Sequence, residues 1–205
     1  MYFAGIYSNG ELESCVAVVV EKVLRNARKE YVVTDIRLLS PIKEGIKALY
    51  EDTRFLRKKK VFSQDRRPPK NTFTPPVLIV AVKNGDPCLV NELRNMGLPV
   101  DGLFFHDEPG WVREEQKILR YGANLFVQAK DMEKLEKVLA SAAGIQYDED
   151  LPSGSDLQNE IKTCLELKNS RGSWPDVFQE KGFRLVPALM LALWHCETIR
   201  QIKRY

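Results

Sequence analysis

The sequence is short of the features that would assign it quickly. Its four cysteines, Cys15, Cys88, Cys164 and Cys196, lie far apart with no C-x-x-C pair. That argues against a zinc ribbon or a disulfide framework and reads as buried thiols. No apolar run approaches the ~18–20 residues of a membrane span. The first residues lack the basic-then-apolar layout of a secretory signal, so a cytoplasmic location without membrane contact is the expectation. There is no G-x-x-x-x-G-K-[ST] loop for a nucleotide, no G-x-S-x-G elbow and no H-E-x-x-H zinc site. Only two histidines occur, His106 and His195, and the second falls inside an apolar run that reads as core. Internal repeats are absent as well.

What is present fits one α/β domain over residues 1–205, with 44% apolar and 29% charged residues. Net charge is only +3, yet the basic residues are unevenly spread. Arg57, Lys58, Lys59, Lys60, Arg66, Arg67 and Lys70 crowd into fourteen positions against the single Asp65. The rest of the chain holds 24 basic and 27 acidic residues, net −3, so any surface for a polyanion centres on 57–70.

Three strands are expected early: Tyr2 to Tyr7, the β-branched run Cys15 to Glu21, and Glu30 to Leu39. Hairpin connections would make them antiparallel. Pro41 then opens a helix with Ile42, Ile46 and Leu49 on one face. From 57 to 76 periodicity gives way to basic residues and four prolines, which reads as an insertion loop. Val77 to Val82 is a buried strand, Cys88 to Met96 a helix closed by Gly97-Leu98-Pro99, and Val100 to Phe105 a further strand. His106 to Gln128 has no firm pattern, although Trp111 to Tyr121 could form a short helix. Helices follow over Lys130 to Ala142, then after a cap at Ser155 or Asp156 with Leu157, Ile161, Cys164 and Leu165 as its stripe. The last begins near Leu185, is apolar almost all round, and tolerates Pro187 only in its first turn. The tail from Glu197 would prolong it, with Ile199 and Ile202 as core or as a small subunit contact; oligomeric state is left open.

Three antiparallel strands, a helix, then strands alternating with helices is the order of the ribonuclease H-like fold, a mixed sheet flanked by helices. The chain resembles the nuclease domain of phage large terminases and related prophage proteins. Phe3-Ala4-Gly5-Ile6-Tyr7-Ser8-Asn9 through Cys15-Val16-Ala17-Val18-Val19 follows the family's opening, with Tyr7 at the position of its first Asp. Leu78-Ile79-Val80-Ala81 leading to Gly97-Leu98-Pro99-Val100 follows the central strand and helix, with Ala81 at the second Asp. Ala188-Leu189-Met190-Leu191-Ala192-Leu193-Trp194 keeps the closing helix, and Phe183-Arg184 stands where its carboxylates would be.

The resemblance implies two-metal phosphodiester hydrolysis in the family, and the substitutions imply its loss here. Magnesium demands hard oxygen ligands in near-octahedral array. A phenol, a methyl group and a guanidinium do not supply them. The expectation is therefore a pseudoenzyme without metal or cofactor, serving as a binding or assembly module with weak nucleic-acid affinity. An active Mg- or Mn-dependent nuclease is the alternative, using displaced acids: Glu11 and Glu13 after the first strand, Asp107 and Glu108 after His106. The simpler reading of His106-Asp107-Glu108 is a polar loop. A third class is a structural or oligomeric protein without nucleic-acid contact. For 57–70 the functional reading is a phosphate-contacting arm, with Phe55, Phe62 and Phe73 available to stack on bases. The plain one is a solvated loop whose aromatics anchor it to the body.

Overall fold

The computed structural model describes residues 1–8, 14–25, 28–57, 72–73, 75–82, 89–106, 123, 125–140, 145–148, 151, 153–171 and 182–198. The elements are β1 (Tyr2–Tyr7), β2 (Cys15–Arg25), β3 (Arg28–Leu39), α1 (Ile42–Tyr50), a 3-10 turn (Thr53–Phe55), β4 (Leu56–Arg57) and β5 (Thr72–Phe73). There follow β6 (Val77–Val82), α2 (Leu89–Asn95), β7 (Val100–His106), β8 (Leu125–Gln128), α3 (Ala129–Ala140), β9 (Ile145–Tyr147), α4 (Gly154–Arg171) and α5 (Leu185–Thr198).

Seven strands form one mixed sheet in the order β8-β7-β6-β1-β2-β3-β9. β2 is antiparallel to both β1 and β3, while the pairs β1–β6, β6–β7, β7–β8 and β3–β9 are parallel. β2 alone therefore runs against the other six, and the carboxyl ends of β1, β6, β7 and β8 share one end of the sheet. The antiparallel start followed by parallel strands agrees with the sequence expectation. β8 and β9 do not figure in it: both are short, and β8 lies in the stretch where no pattern was evident.

The sheet is covered on both faces, which is why its central strands are apolar at every position. Ala4, Ile6, Ala17, Val19, Leu78 and Val80 pack with Ile46 and Leu49 of α1 and Val90 and Leu93 of α2. Phe3, Tyr7, Val18, Ile79, Ala81 and Leu103 pack with α3, α4 and the whole of α5. A bulge between Val19 and Val20 leaves Thr34 without a partner in the ladder. Val33 and Leu39, an even number of residues apart, thereby belong to opposite faces.

Helix ends follow local chemistry. Gly97, at φ 82°, closes α2: its N–H reaches Arg94 O and the Leu98 N–H reaches Leu93 O. α4 begins at Gly154, so Ser155 and Asp156 stand in its first turn rather than at its cap. Pro187 occupies the first turn of α5, where its missing N–H costs nothing. Every residue of α5 from Val186 to Leu193 is buried, as its all-round apolar character requires.

Of the 57–76 segment the structure describes the two ends. Leu56 pairs with Phe73 and Arg57 with Thr72 in a two-stranded antiparallel ladder, so its two ends are tied together. Residues 58–71, with Lys58, Lys59, Lys60, Arg66, Arg67 and Lys70, connect the two strands and lie outside the described residues. The expected helix over 111–121 and the tail beyond Thr198 do so as well.

Candidate functional site at the carboxyl ends of the central strands

The position of α5 is set by one glycine. A Cβ on Gly5 would stand 1.9 Å from Ala188 O and 2.8 Å from Ala192 N. No side chain fits there, so the helix backbone lies directly on β1, with Ala188 and Ala192 one turn apart on the contacting side. This close packing brings the start of α5 to the end of β1.

At that end the residues expected to be degenerate come together. Ile6 and Val80 form the last pair of the β1–β6 ladder, which makes Tyr7 and Ala81 the next step on adjacent parallel strands. Both are buried in the core under α5. Arg184 immediately precedes α5, and Phe183 packs partly buried against the same core.

Sequence reasoning missed an acid that, among the described residues, reaches this place. Glu160 of α4 accepts the backbone N–H of Arg184 at 3.0 Å and of Val186 at 2.7 Å. It thus closes the N-terminus of α5, whose first amides have no intrahelical acceptors. Burial pushes its carboxyl above the usual range, and the amides of Val186, Arg184 and Leu185 with the Arg184 charge pull only partly back. Burial, with the nearby Glu160 charge, pushes the Tyr7 phenol up to about 12. The Cys164 thiol is likewise pushed up to about 12, by burial and then by Glu160. A signal for Glu160 did exist. Leu157, Glu160, Ile161 and Cys164 follow the spacing of one helix face, so Glu160 is an acid on a buried stripe.

Chemically this is a neutral phenol, a methyl group, a guanidinium-bearing loop end and one carboxylate with an oxygen committed to a helix cap. Those described side chains do not by themselves match a two-metal centre. Among the described residues no three His, Cys, Asp or Glu side chains form a group that could hold a metal ion. The alternative acids Glu11, Glu13, Asp107 and Glu108 lie outside the described residues.

The remaining candidates go elsewhere. His195 is buried, with Nε2 2.9 Å from Asp101 Oδ2, and its ring lies 5.8 Å from that of Phe3. It belongs to the core, as its apolar setting suggested. The described cysteines, Cys15, Cys164 and Cys196, are buried with thiols pushed up to about 12, chiefly by burial. Cys88 lies outside the described residues. No described helix is long and apolar enough to cross a membrane.

The base of the basic segment is also well placed. Phe55 is buried and its ring lies 5.1 Å from that of Tyr2, so it anchors the body rather than offering a face to a base. Beside it Asp35, itself buried, takes Arg37 Nε at 2.5 Å and Arg54 Nη2 at 3.0 Å. Asp52 binds the same two guanidinium groups. Tyr2 begins β1 and Tyr7 ends it, so the arm springs from the opposite end, roughly 16 Å away at ~3.3 Å per residue.

Set against known proteins, the chain matches no family model, no curated protein and no solved structure.

Proposed function

We propose that this is a ribonuclease H-like domain, akin to the nuclease domain of phage large terminases and related prophage proteins, that lost its metal centre. It serves as a binding or assembly module with weak, sequence-tolerant affinity for nucleic acid through the 57–70 arm. The observation that carries this reading is the juxtaposition of Tyr7 and Ala81 at the carboxyl ends of adjacent parallel strands under the start of α5. In a working nuclease of this architecture that junction holds the metal-binding carboxylates, each oxygen turned to a metal or its water. Here the first side chain is a phenol held neutral and the second a methyl group. Among the described residues the acid at this junction, Glu160, spends an oxygen on α5 amides.

One observation supports the alternative of an active nuclease. The segments bearing Glu11 and Glu13, and Asp107 and Glu108, leave β1 and β7 at the same end of the sheet as Tyr7. The arm base at the far end speaks against it, because a substrate held there is not led to that junction.

Incubating the protein with Mg²⁺ or Mn²⁺ and single- and double-stranded DNA and RNA separates the two. The inactive reading expects no chelator-sensitive cleavage. Metal-dependent cleavage abolished by Glu13→Ala would overturn it.

A further inference from the structure

The sheet leaves one stretch of its edge open. β9 pairs with β3 only at Tyr31, Val32 and Val33, and the Asp148 N–H adds a last bond to Val33 O at 3.1 Å. Past that point, among the described residues, no strand lies outside β3. Which main-chain groups face outward follows from β2. The Lys22 N–H reaches Met1 O, so even-numbered residues of β2 turn their N–H and C=O towards β1 and odd-numbered ones towards β3. Cys15, Ala17 and Val19 stand opposite Leu39, Arg37 and Asp35, whose main-chain groups are thereby bonded within the sheet. Ile36 and Leu38, opposite Val18 and Val16, turn theirs out to the open edge.

The side chains of this stretch divide by face. Ile36 packs partly buried against the core. Leu38, two residues on and so on the same face, is 66% exposed, the most exposed of the large apolar side chains described. On the other face Arg37 binds Asp35 through Nε at 2.5 Å and Asp52 through Nη2, and Arg54 binds both acids. Two acids and two bases make a group without net charge. Sheet edges are commonly blunted by bulges and prolines. Here the bulge at Thr34 and Pro41 bound the open stretch at its two ends, with Leu38 in water between them.

We infer that a second copy of the chain docks on this edge, β3 against β3, about a two-fold axis through Arg37. The antiparallel register sets Ile36 of each copy opposite Leu38 of the other. Those are the residues with outward N–H and C=O, so each pair exchanges two bonds, about four in all. On one face Leu38 of each copy covers Ile36 of the other and leaves water. On the other face Arg37 meets Arg37. Like charges directly opposite repel, but each guanidinium is already neutralised by Asp35 and Asp52. The same register brings Pro41, which has no N–H, beside Val33, whose carbonyl is already taken by Asp148. Pairing therefore stops on both sides where β9 begins. A copy satisfies this spacing because the stretch is its own complement, and a two-fold contact closes the edge instead of extending it. The inference goes beyond the proposed function and depends on neither the family nor nucleic acid.

The test is sedimentation velocity of the full chain from about 1 to about 200 μM, since so short a contact makes a weak dimer that dissociates in the micromolar range. The mass should rise with concentration from 23.5 kDa towards twice that value. Leu38→Lys puts a charge into the seam at a side chain that is already exposed. Leu38→Pro removes an N–H that the ladder with β2 does not use. Each should weaken the dimer about 50-fold or more, leaving monomer throughout. Met96→Lys, at an exposed side chain away from β3, should change it less than about twofold. The melting temperature of the wild type should climb with protein concentration, while both Leu38 variants melt cooperatively at a temperature independent of it.

A wild type that stays at 23.5 kDa to the highest concentration overturns the inference. A dimer that survives both Leu38 variants also overturns it, because such a dimer uses another surface. Species that grow beyond the dimer would mean an open-ended contact, and would exclude the two-fold as well.

Discussion

Glu160 accepts the amide of Val186 at 2.7 Å, so a carboxylate of α4 closes the start of a helix 26 residues further along the chain. The same group lies close enough to Tyr7 to raise its phenol. One side chain thereby links α4, α5 and the end of β1.

Removing it should be costly. Glu160→Ala leaves buried amides without an acceptor and should lower stability by about 2 kcal/mol in urea denaturation. Glu160→Gln keeps a carbonyl acceptor and should cost about 1 kcal/mol or less. The two differ most usefully with pH. The Glu160 carboxyl is raised above its ordinary value of 4.5, so the folded state holds that proton more tightly than the unfolded state. Its favourable contribution is complete below 4.5 and is lost as pH rises through the raised folded value. The stability of the wild type relative to Glu160→Gln should therefore decline between acid and neutral pH. A difference that grows over that interval would contradict the assignment.

Gly5→Ala tests the seating of α5. Its Cβ would stand 1.9 Å from the Ala188 carbonyl oxygen, which is main chain and cannot swing aside. We expect a loss of roughly 3 kcal/mol, at the top of the range for overpacked cores. An unchanged denaturation midpoint would mean that the helix does not lie on β1 in solution.

Placing acids at the junction tests the proposed ancestry. Tyr7→Asp combined with Ala81→Asp places two carboxylates on adjacent strands ~4.8 Å apart, in a buried site. Without metal this variant should be destabilised by several kcal/mol through burial and mutual repulsion. Millimolar Mn²⁺ should recover about 1–2 kcal/mol by binding the folded state, leaving the wild type unmoved. Thermal denaturation with and without chelator reads this directly, and equal metal effects on both proteins would count against a vestigial metal centre.

Around Asp35 the two arginines should behave differently. Arg37 has a side chain 21% exposed, while that of Arg54 is 64% exposed. Arg37→Ala should cost about 2–3 kcal/mol, because buried Asp35 loses its best-shielded partner. Arg54→Ala should cost about 0.5 kcal/mol, since the pair is screened by water. Equal losses in a chemical denaturation series would refute this division.

Much of the sheet is written in local pattern. The apolar runs of β1, β2 and β6, the amphipathic face of α1 and the Gly97-Leu98-Pro99 stop are short-range signals, and their elements form within a few residues of the expected bounds. β9 has three residues and β8 four, too few for periodicity to register, and both depend on pairing with a neighbour already in place. Likewise Phe55, legible as an aromatic beside a basic run, is buried because the 3-10 turn happens to pass Tyr2.

Sequence alone determined the alternation of elements, the absence of acids at Tyr7 and Ala81, and the uneven distribution of charge, because each depends on residue identity and spacing of a few positions. Tertiary structure decided which of those residues meet. Glu160 reaches the Tyr7 junction only because Gly5 lets α5 settle on β1, and α4 then packs beside it. The β2–β3 ladder, Phe55 beside Tyr2 and the end of α5 are brought to one end of the sheet by strand direction and by the antiparallel run of α5, across separations that no local pattern encodes. Contacts between residues far apart in the chain are chosen by burial of the whole sheet, a quantity that exists only once all its strands are assembled.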